Sequence, residues 1–355
     1  MARGTTKKRG STWSAIYYVN GKQKWKGGFR TKADAEAFLD SVNTEIRDGT
    51  YREPSKTTFA EFASKWLTKY QEPHVKKSTF IRHKGIVDNY LIPALGYHLL
   101  TNVSPDYIQS YIADKKKEGK LSARSINYHL TVIKMILKTA VIAKHLKENP
   151  AQYIRNLKEE PKETTILTPV EIRSLINAAE GPFKTFLTVA VTTGMRLSEV
   201  RALKWSDVDM VERVIYVQRN LYRNEEGSPK AGKAREVLIS DSLHAALLNY
   251  QMSAPTSADG WLFCTSSGKP WDAQNITKRW FRQALKNAGI TKKVTFHSLR
   301  HTFCTLSATA NGNQFQTQKL AGHSNISTTA KYYVHLEREA LREASNQVSN
   351  VIFDR

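Results

Sequence analysis

A histidine and a tyrosine near the end of the chain stand close enough in sequence to act together. In Lys319-Leu-Ala-Gly-His-Ser-Asn-Ile-Ser-Thr-Thr-Ala-Lys-Tyr-Tyr333, His323 follows a glycine and Tyr332 comes nine positions later. Ser327 lies between them with the residue type of a helix N-cap. A tyrosine hydroxyl with an ordinary pKa of about 10 is a poor nucleophile at neutral pH, and it attacks only where cationic groups are brought to it. Such groups occur upstream. Arg196 sits in Thr-Gly-Met-Arg-Leu-Ser-Glu, just after a mostly apolar run breaks at Gly194. Lys230 lies in a polar loop between two strand-like runs. The segment Phe296-His-Ser-Leu-Arg-His-Thr-Phe303 puts His297 and Arg300 three apart, on one face of a helix, with His301 four from His297.

Each of these has an ordinary reading by itself. Arg196 pairs with Glu199, Lys230 is a solvated loop lysine, and Tyr332 is a core residue at a helix end. An arginine at a break between helices, however, has its guanidinium held in place, as bidentate phosphate recognition requires. A metal site from His297 and His301 is not expected, because the run is not H-E-x-x-H and carboxylates nearby are scarce.

Several elements must position these groups. Leu167-Thr-Pro-Val-Glu171 opens a helix, with Thr168 as N-cap, Pro169 in the first turn and Glu171 closing a capping box. An apolar helix spans 182–192. Strands are expected at 214–218 and 235–240, with Gly227, Lys230 and Gly232 in the loop between them. A short buried strand is expected at Trp261-Leu-Phe263, and an amphipathic helix over 272–288 containing Trp280 and Phe281.

The first half reads differently. Residues 12–19 are β-branched and aromatic, Asn20-Gly21 is a strong hairpin signal, and 22–29 return as a second strand with a bulge or turn at Gly27-Gly28. A helix then starts near Thr31, carries Ala35, Phe38, Leu39, Val42 and Ile46 at helical period, and stops at Gly49. Lys22, Lys24, Lys26 and Arg30 on this ribbon suit strands laid in a DNA major groove. A linker over 50–56 leads to a helical segment. Its first helix carries Phe59, Phe62, Ala63, Trp66, Leu67 and Tyr70, and its second runs from Ser78 to about Leu91, ending before Pro93. Ser104-Pro105 and Ser122 start two more. Arg124 and Lys134 are candidate phosphate contacts there, against the ordinary reading of a solvated helix face. Residues 156–165, with Pro161, form the next linker.

Charge narrows the function class. Lys and Arg number 54 against 32 Asp and Glu, a net +22 with pI about 9.8. The excess is spread along the chain, at 12 basic to 6 acidic residues over 1–56, 18 to 9 over 57–162 and 24 to 17 over 163–355. A long polyanion touched at several points fits this distribution, nucleic acid before membrane. No run approaches the length of a spanning helix, and the basic start has no apolar stretch behind it, so neither a membrane anchor nor a secretory signal is expected. Two cysteines, Cys264 and Cys304, lie in apolar settings without CxxC spacing and fit buried thiols in a reducing cytoplasm.

Taken together, Arg196, Lys230, His-Ser-Leu-Arg at 297–300, Gly-His-Ser at 322–324 and Tyr332 resemble the tyrosine recombinase (phage integrase) family in order, spacing and residue type. Ala321 departs from the leucine common before Gly-His. Tyr333 adjoins Tyr332. The family's nine-residue interval from the histidine selects Tyr332, and Tyr333 points about 100° away on a helix. The resemblance implies a mainly α fold with small β-sheets (α+β), in several domains. These are an arm-type DNA-binding domain of three strands and a helix over 1–52, a helical core-type DNA-binding domain over 57–160, a mixed α/β catalytic domain over 164–346, and a tail over 347–355.

It also implies a site-specific recombinase that integrates and excises a mobile element through a 3′-phosphotyrosine intermediate and a Holliday junction, working in the host cytoplasm. Tyr332 would be the nucleophile, Arg196 and Arg300 the phosphate ligands, His297 a proton acceptor or relay, His323 a phosphate donor, Lys230 the acid for the leaving 5′-oxygen, and Glu199 an orienting group behind them. No metal, ATP or other cofactor is implied. The implied partners are double-stranded DNA at core-type and arm-type sites, three further copies in a tetramer, an excision factor and a DNA-bending host protein. The alternatives are a DNA-binding protein without strand exchange and a relaxing type IB topoisomerase. The tail, with Val348, Val351, Ile352 and Phe353, is expected to dock in cis or on a neighbour.

Overall fold

The computed structural model describes residues 4–49, 51, 53, 56–160, 165–227, 234–311 and 314–322. Lys230, Gly232, His323, Ser327, Tyr332, Tyr333 and the tail lie outside the described residues. The chain divides into two compact units, residues 1–160 and 161–355.

In the first unit, β1 (Thr5–Arg9), β2 (Thr12–Val19) and β3 (Lys22–Phe29) form an antiparallel sheet in that order, backed by α1 (Lys32–Arg47). Asn20 and Gly21 have φ of 48° and 77°, the left-handed pair that a two-residue hairpin turn needs. A register shift between Trp13 and Ala15 opposite Gly28, at φ 89°, is the bulge. Thr31 caps α1 reciprocally with Asp34, and Ala15, Tyr17, Leu39 and Val42 fill the small core.

The helical remainder contains α2 (Phe59–Lys65), α3 (Lys77–Ile86), α4 (Ile92–Leu95), α5 (Pro105–Lys117) and α6 (Ala123–Ile142) around Phe59, Phe62, Trp66, Leu91, Ile108 and Ile133. Ser104 and Ser122 cap α5 and α6 as expected. The helix expected to end before Pro93 does not end there. A π turn over Val87–Leu91, closed by the Ile92 N–H on the Val87 carbonyl, carries α3 directly into α4. The wider turn moves the upstream carbonyl away from the proline ring, and the missing proline N–H falls where the hydrogen-bond ladder is already interrupted.

Two side chains of α6 fasten the segment that follows it. Asn127 accepts from the Leu157 N–H at 2.8 Å and donates to the Leu157 carbonyl at 3.0 Å and Glu159 at 2.9 Å. Lys134 donates to the Ile154 carbonyl at 2.7 Å, so its ammonium also anchors this segment.

The second unit begins with α7 (Pro169–Asn177), whose capping box of Thr168 and Glu171 forms as expected, and α8 (Gly181–Thr193). The short α9 (Leu197–Val200) leads to a sheet of β4 (Val208–Asp209), β5 (Val214–Val217) and β8 (Arg235–Leu238), antiparallel in that order. A separate hairpin, β6 (Asn220–Tyr222) and β7 (Glu225–Gly227), interrupts the connection from β5 to β8, which was expected to be a plain loop. Arg219 pairs with Asp207 and Lys204 with Glu226 at 3.1 Å, fastening that hairpin to the turn after α9.

The strand expected at Trp261–Phe263 is absent. Its residues are buried, but they pair through a bridge to Lys204, a bond from the Leu262 N–H to the Leu203 carbonyl and one from the Trp271 N–H to the Phe263 carbonyl, too scattered for a ladder. Next come α10 (Asp241–Gln251), a π turn over Asn275–Trp280 running into α11 (Phe281–Asn287), α12 (Phe296–Asn311) and α13 (Gln314–Ala321). Phe186, Phe263, Trp271, Phe281 and Phe296 pack ring against ring at the centre. The Leu167 N–H donates to the Thr302 hydroxyl at 3.0 Å, tying the start of the unit to α12. Among the described residues, no helix is long and apolar enough to cross a membrane.

Candidate active site

The site is built on the break after α8. Gly194 ends that helix at φ 61°, and a Cβ there would lie 2.2 Å from Phe303 Cδ1, so both conformation and space exclude a side chain. The chain leaves extended through Arg196, which serves as the N-cap of α9. Glu199, in the first turn of α9, accepts from the Arg196 backbone N–H at 2.9 Å and from Arg196 Nη1 at 2.8 Å. The ion pair anticipated between these two residues is present.

Arg300 on α12 reaches the same break. It is 3% exposed, its Nη1 donates to the Gly194 carbonyl at 2.6 Å, and its Nη2 has no acceptor among the described residues. The third arginine was not anticipated. Arg235, the first residue of β8, donates Nη2 to Glu199 Oε2 at 2.7 Å and Nη1 to Oε1 at 3.2 Å. The Glu199 carboxylate, 1% exposed, thus receives four N–H bonds, about as many as its lone pairs accommodate. The Arg235 side chain packs against Gly322, where a Cβ would fall 2.4 Å from Nε. In sequence Arg235 is one arginine in a strand-like run, and no local pattern tells it from a solvated one.

Burial alone would raise the Glu199 carboxyl. The hydrogen bonds and charge of Arg235, with the N–H and charge of Arg196, outweigh it and hold the pKa at about 2. Burial first, then repulsion from Arg196, lowers Arg300 to about 10, so it remains a cation at neutral pH. Three guanidiniums around one carboxylate leave the site with excess positive charge.

His297 stands exposed at the start of α12, its ring 4.7 Å from and nearly perpendicular to that of His301. Burial, then Arg300, lowers the His301 pKa. With Arg300, Lys278, Arg282 and Thr295, His297 lines a cleft of about 410 Å³. No cluster of three metal-ligating side chains occurs among the described residues.

Of the sequence-derived site residues, Arg196, Glu199 and Arg300 therefore meet, and His297 shares a helix with Arg300. Lys230, His323 and Tyr332 lie outside the described residues. Among the proposed DNA contacts, Lys22, Lys26, Arg30 and Arg124 are exposed, while Lys24 is bonded to Glu53 at 2.6 Å.

Residues 165–340 match the phage integrase family, 58–116 the phage integrase N-terminal SAM-like domain, and 5–46 an Arm DNA-binding domain. A tyrosine recombinase XerC-like protein of Caldanaerobacter subterraneus is 28% identical over 341 residues, 86% of either chain. An integrase of Streptomyces ambofaciens is 28% identical over 331 residues, 87% of this chain and 84% of its own length. The fold is similar to that of the Tn1549 transposon integrase in complex with a circular intermediate DNA, with TM-score 0.72 and 24% identity over 82% of this chain and 100% of that one. It is also similar to that of a lambda integrase tetramer bound to a Holliday junction, with TM-score 0.65 and 19% identity over 90% and 91%. Matched along all three of its segments and related to proteins named integrase and tyrosine recombinase, this chain belongs to the phage integrase family of tyrosine recombinases, which are site-specific recombination enzymes.

Proposed function

We propose that the chain recombines double-stranded DNA at specific sites to integrate and excise a mobile element, with Tyr332 as nucleophile. The Tyr332 oxygen attacks a DNA phosphorus, its proton passing to or through His297, and the bond to the 5′-oxygen breaks as Lys230 protonates that oxygen. An ammonium gives up a proton there more readily than a guanidinium. Arg196, Arg300 and His323 donate to the non-bridging oxygens, where negative charge develops. One phosphodiester is exchanged for one phosphotyrosyl ester, so bond energy is conserved and neither ATP nor a metal enters the scheme. A freed 5′-hydroxyl from a second duplex reverses the attack and yields a Holliday junction.

The observation that carries this reading is Arg300. A buried guanidinium held by one edge to the Gly194 carbonyl, with Nη2 lacking an acceptor among the described residues, is preorganised for an anionic oxygen. Arg196, braced by Glu199, supplies a second fixed cation.

Four copies on two duplexes are needed for exchange, and the lambda integrase tetramer on a Holliday junction supports that assembly. Residues 1–52 would hold arm-type sites through Lys22, Lys24, Lys26 and Arg30, residues 57–160 core-type sites through Arg124, and 164–346 the reaction, with an excision factor and a DNA-bending host protein setting direction in the bacterial cytoplasm. The tail over 347–355 would pack in cis or on a neighbouring copy.

One assay tests the proposal. A nicked suicide attachment site incubated with the protein in EDTA is expected to give a covalent adduct on a denaturing gel, lost in Tyr332→Phe and kept in Tyr333→Phe. No adduct from the wild type on its cognate site would overturn it, and relaxation without site preference would favour a topoisomerase.

A further inference from the structure

The proposed scheme gives Arg235 no task, although it makes two of the four bonds to the buried Glu199 carboxylate. On the reading proposed above, we infer that Arg235 is a positioning residue, which clamps Glu199 and thereby Arg196 and seats the Gly322 turn that leads into His323. Arg196 touches both carboxylate oxygens, Oε2 through its backbone N–H and Oε1 through Nη1, so its side chain is held by one oxygen alone. The paired bonds from Arg235 brace the same two oxygens from a distant segment, because a planar fork on two oxygens holds the carboxylate plane. Arg196 is then held by an acceptor of set direction, and its remaining N–H groups are aimed.

The geometry also requires arginine at this position. Its side chain, from Cδ to Cζ, takes the space beside Gly322, which has φ 64° and no Cβ, at the end of α13. A lysine would bring the charge on a single point, without the fork. Arg235 opens β8 five residues after Lys230 in the sequence. One guanidinium therefore joins the break after α8, the start of β8 and the turn at Gly322, three segments far apart in sequence.

The test uses the full chain on the nicked suicide site, measuring single-turnover cleavage, binding of the site by gel shift, and the thermal midpoint. Arg235→Lys and Arg235→Ala are expected to bind the site within about twofold of wild type and to cleave roughly ten- to a hundredfold more slowly. Arg235→Lys decides the matter if the alanine variant fails to fold. Because Arg235 acts through Glu199, Arg235→Lys combined with Glu199→Gln is expected to cleave no more slowly than Glu199→Gln alone, whereas independent losses of stability would multiply. Normal cleavage by Arg235→Lys, or losses that multiply in the double variant, overturns the inference. With a wild-type adduct that Tyr332→Phe abolishes, that outcome leaves the proposed function standing. Absence of a wild-type adduct overturns both.

Discussion

Arg300 donates to the carbonyl oxygen of Gly194 across 106 residues of chain, so the glycine that ends α8 is also what holds a buried guanidinium. The break and the cation are therefore one device. The left-handed turn frees the carbonyl, Arg300 takes it, and Phe303 fills the space beside the glycine.

Gly194→Ala is expected to destabilise the second unit by about 2–4 kcal/mol, from left-handed strain together with overpacking against Phe303. Urea unfolding of the full chain measures it. A midpoint equal to that of wild type would show that the turn and Phe303 relax freely.

Arg300→Lys is expected to keep site binding within a few-fold and to lower cleavage roughly 10²- to 10³-fold. A lysine cannot hold the Gly194 carbonyl with one edge and offer a second donor from a fixed plane. Cleavage at near wild-type rate would remove Arg300 from the phosphate-binding role.

Two acid transitions should separate along the pH axis. His129, bonded to the Tyr111 hydroxyl at 2.7 Å, has its pKa lowered to about 4 by burial, then by Lys115 and Arg82. Between about 6.5 and 4 the unfolded chain binds the extra proton, so the stability of the helical segment falls as pH falls through that window. Glu199, held at about 2, contributes stability to the second unit that is lost only from about 4.5 downward. Hydrogen exchange followed against pH is expected to show α5 and α6 loosening before α8 and α9, and His129→Gln to flatten the first transition. The reverse order would contradict both assignments.

Arg124 and Lys134 should part company in salt titrations. Arg124 is exposed in the first turn of α6, so Arg124→Gln is expected to reduce the salt slope of site binding by about 1. Lys134→Met is expected to leave the slope unchanged while lowering stability, since its ammonium serves the Ile154 carbonyl. Equal slope changes would return Lys134 to the interface.

What the sequence determined by itself is what neighbours within about four residues decide. The Asn20-Gly21 turn, the caps at Ser104, Ser122 and Thr168, and the stop at Gly194 rest on dihedral sterics and local hydrogen bonds, so residue type and spacing were enough to find them. The Arg196–Glu199 pair, within one turn, belongs with them. Tertiary structure alone decided the passage of α3 through Pro93, the β6–β7 hairpin, the turn of Lys134 inward to Ile154, and the meeting of Arg235 and Arg300 with the break after α8. An arginine's side chain carries no record of which buried oxygen it will reach. That partner is chosen when packing brings distant segments together and burial makes an unpaired charge too costly to keep.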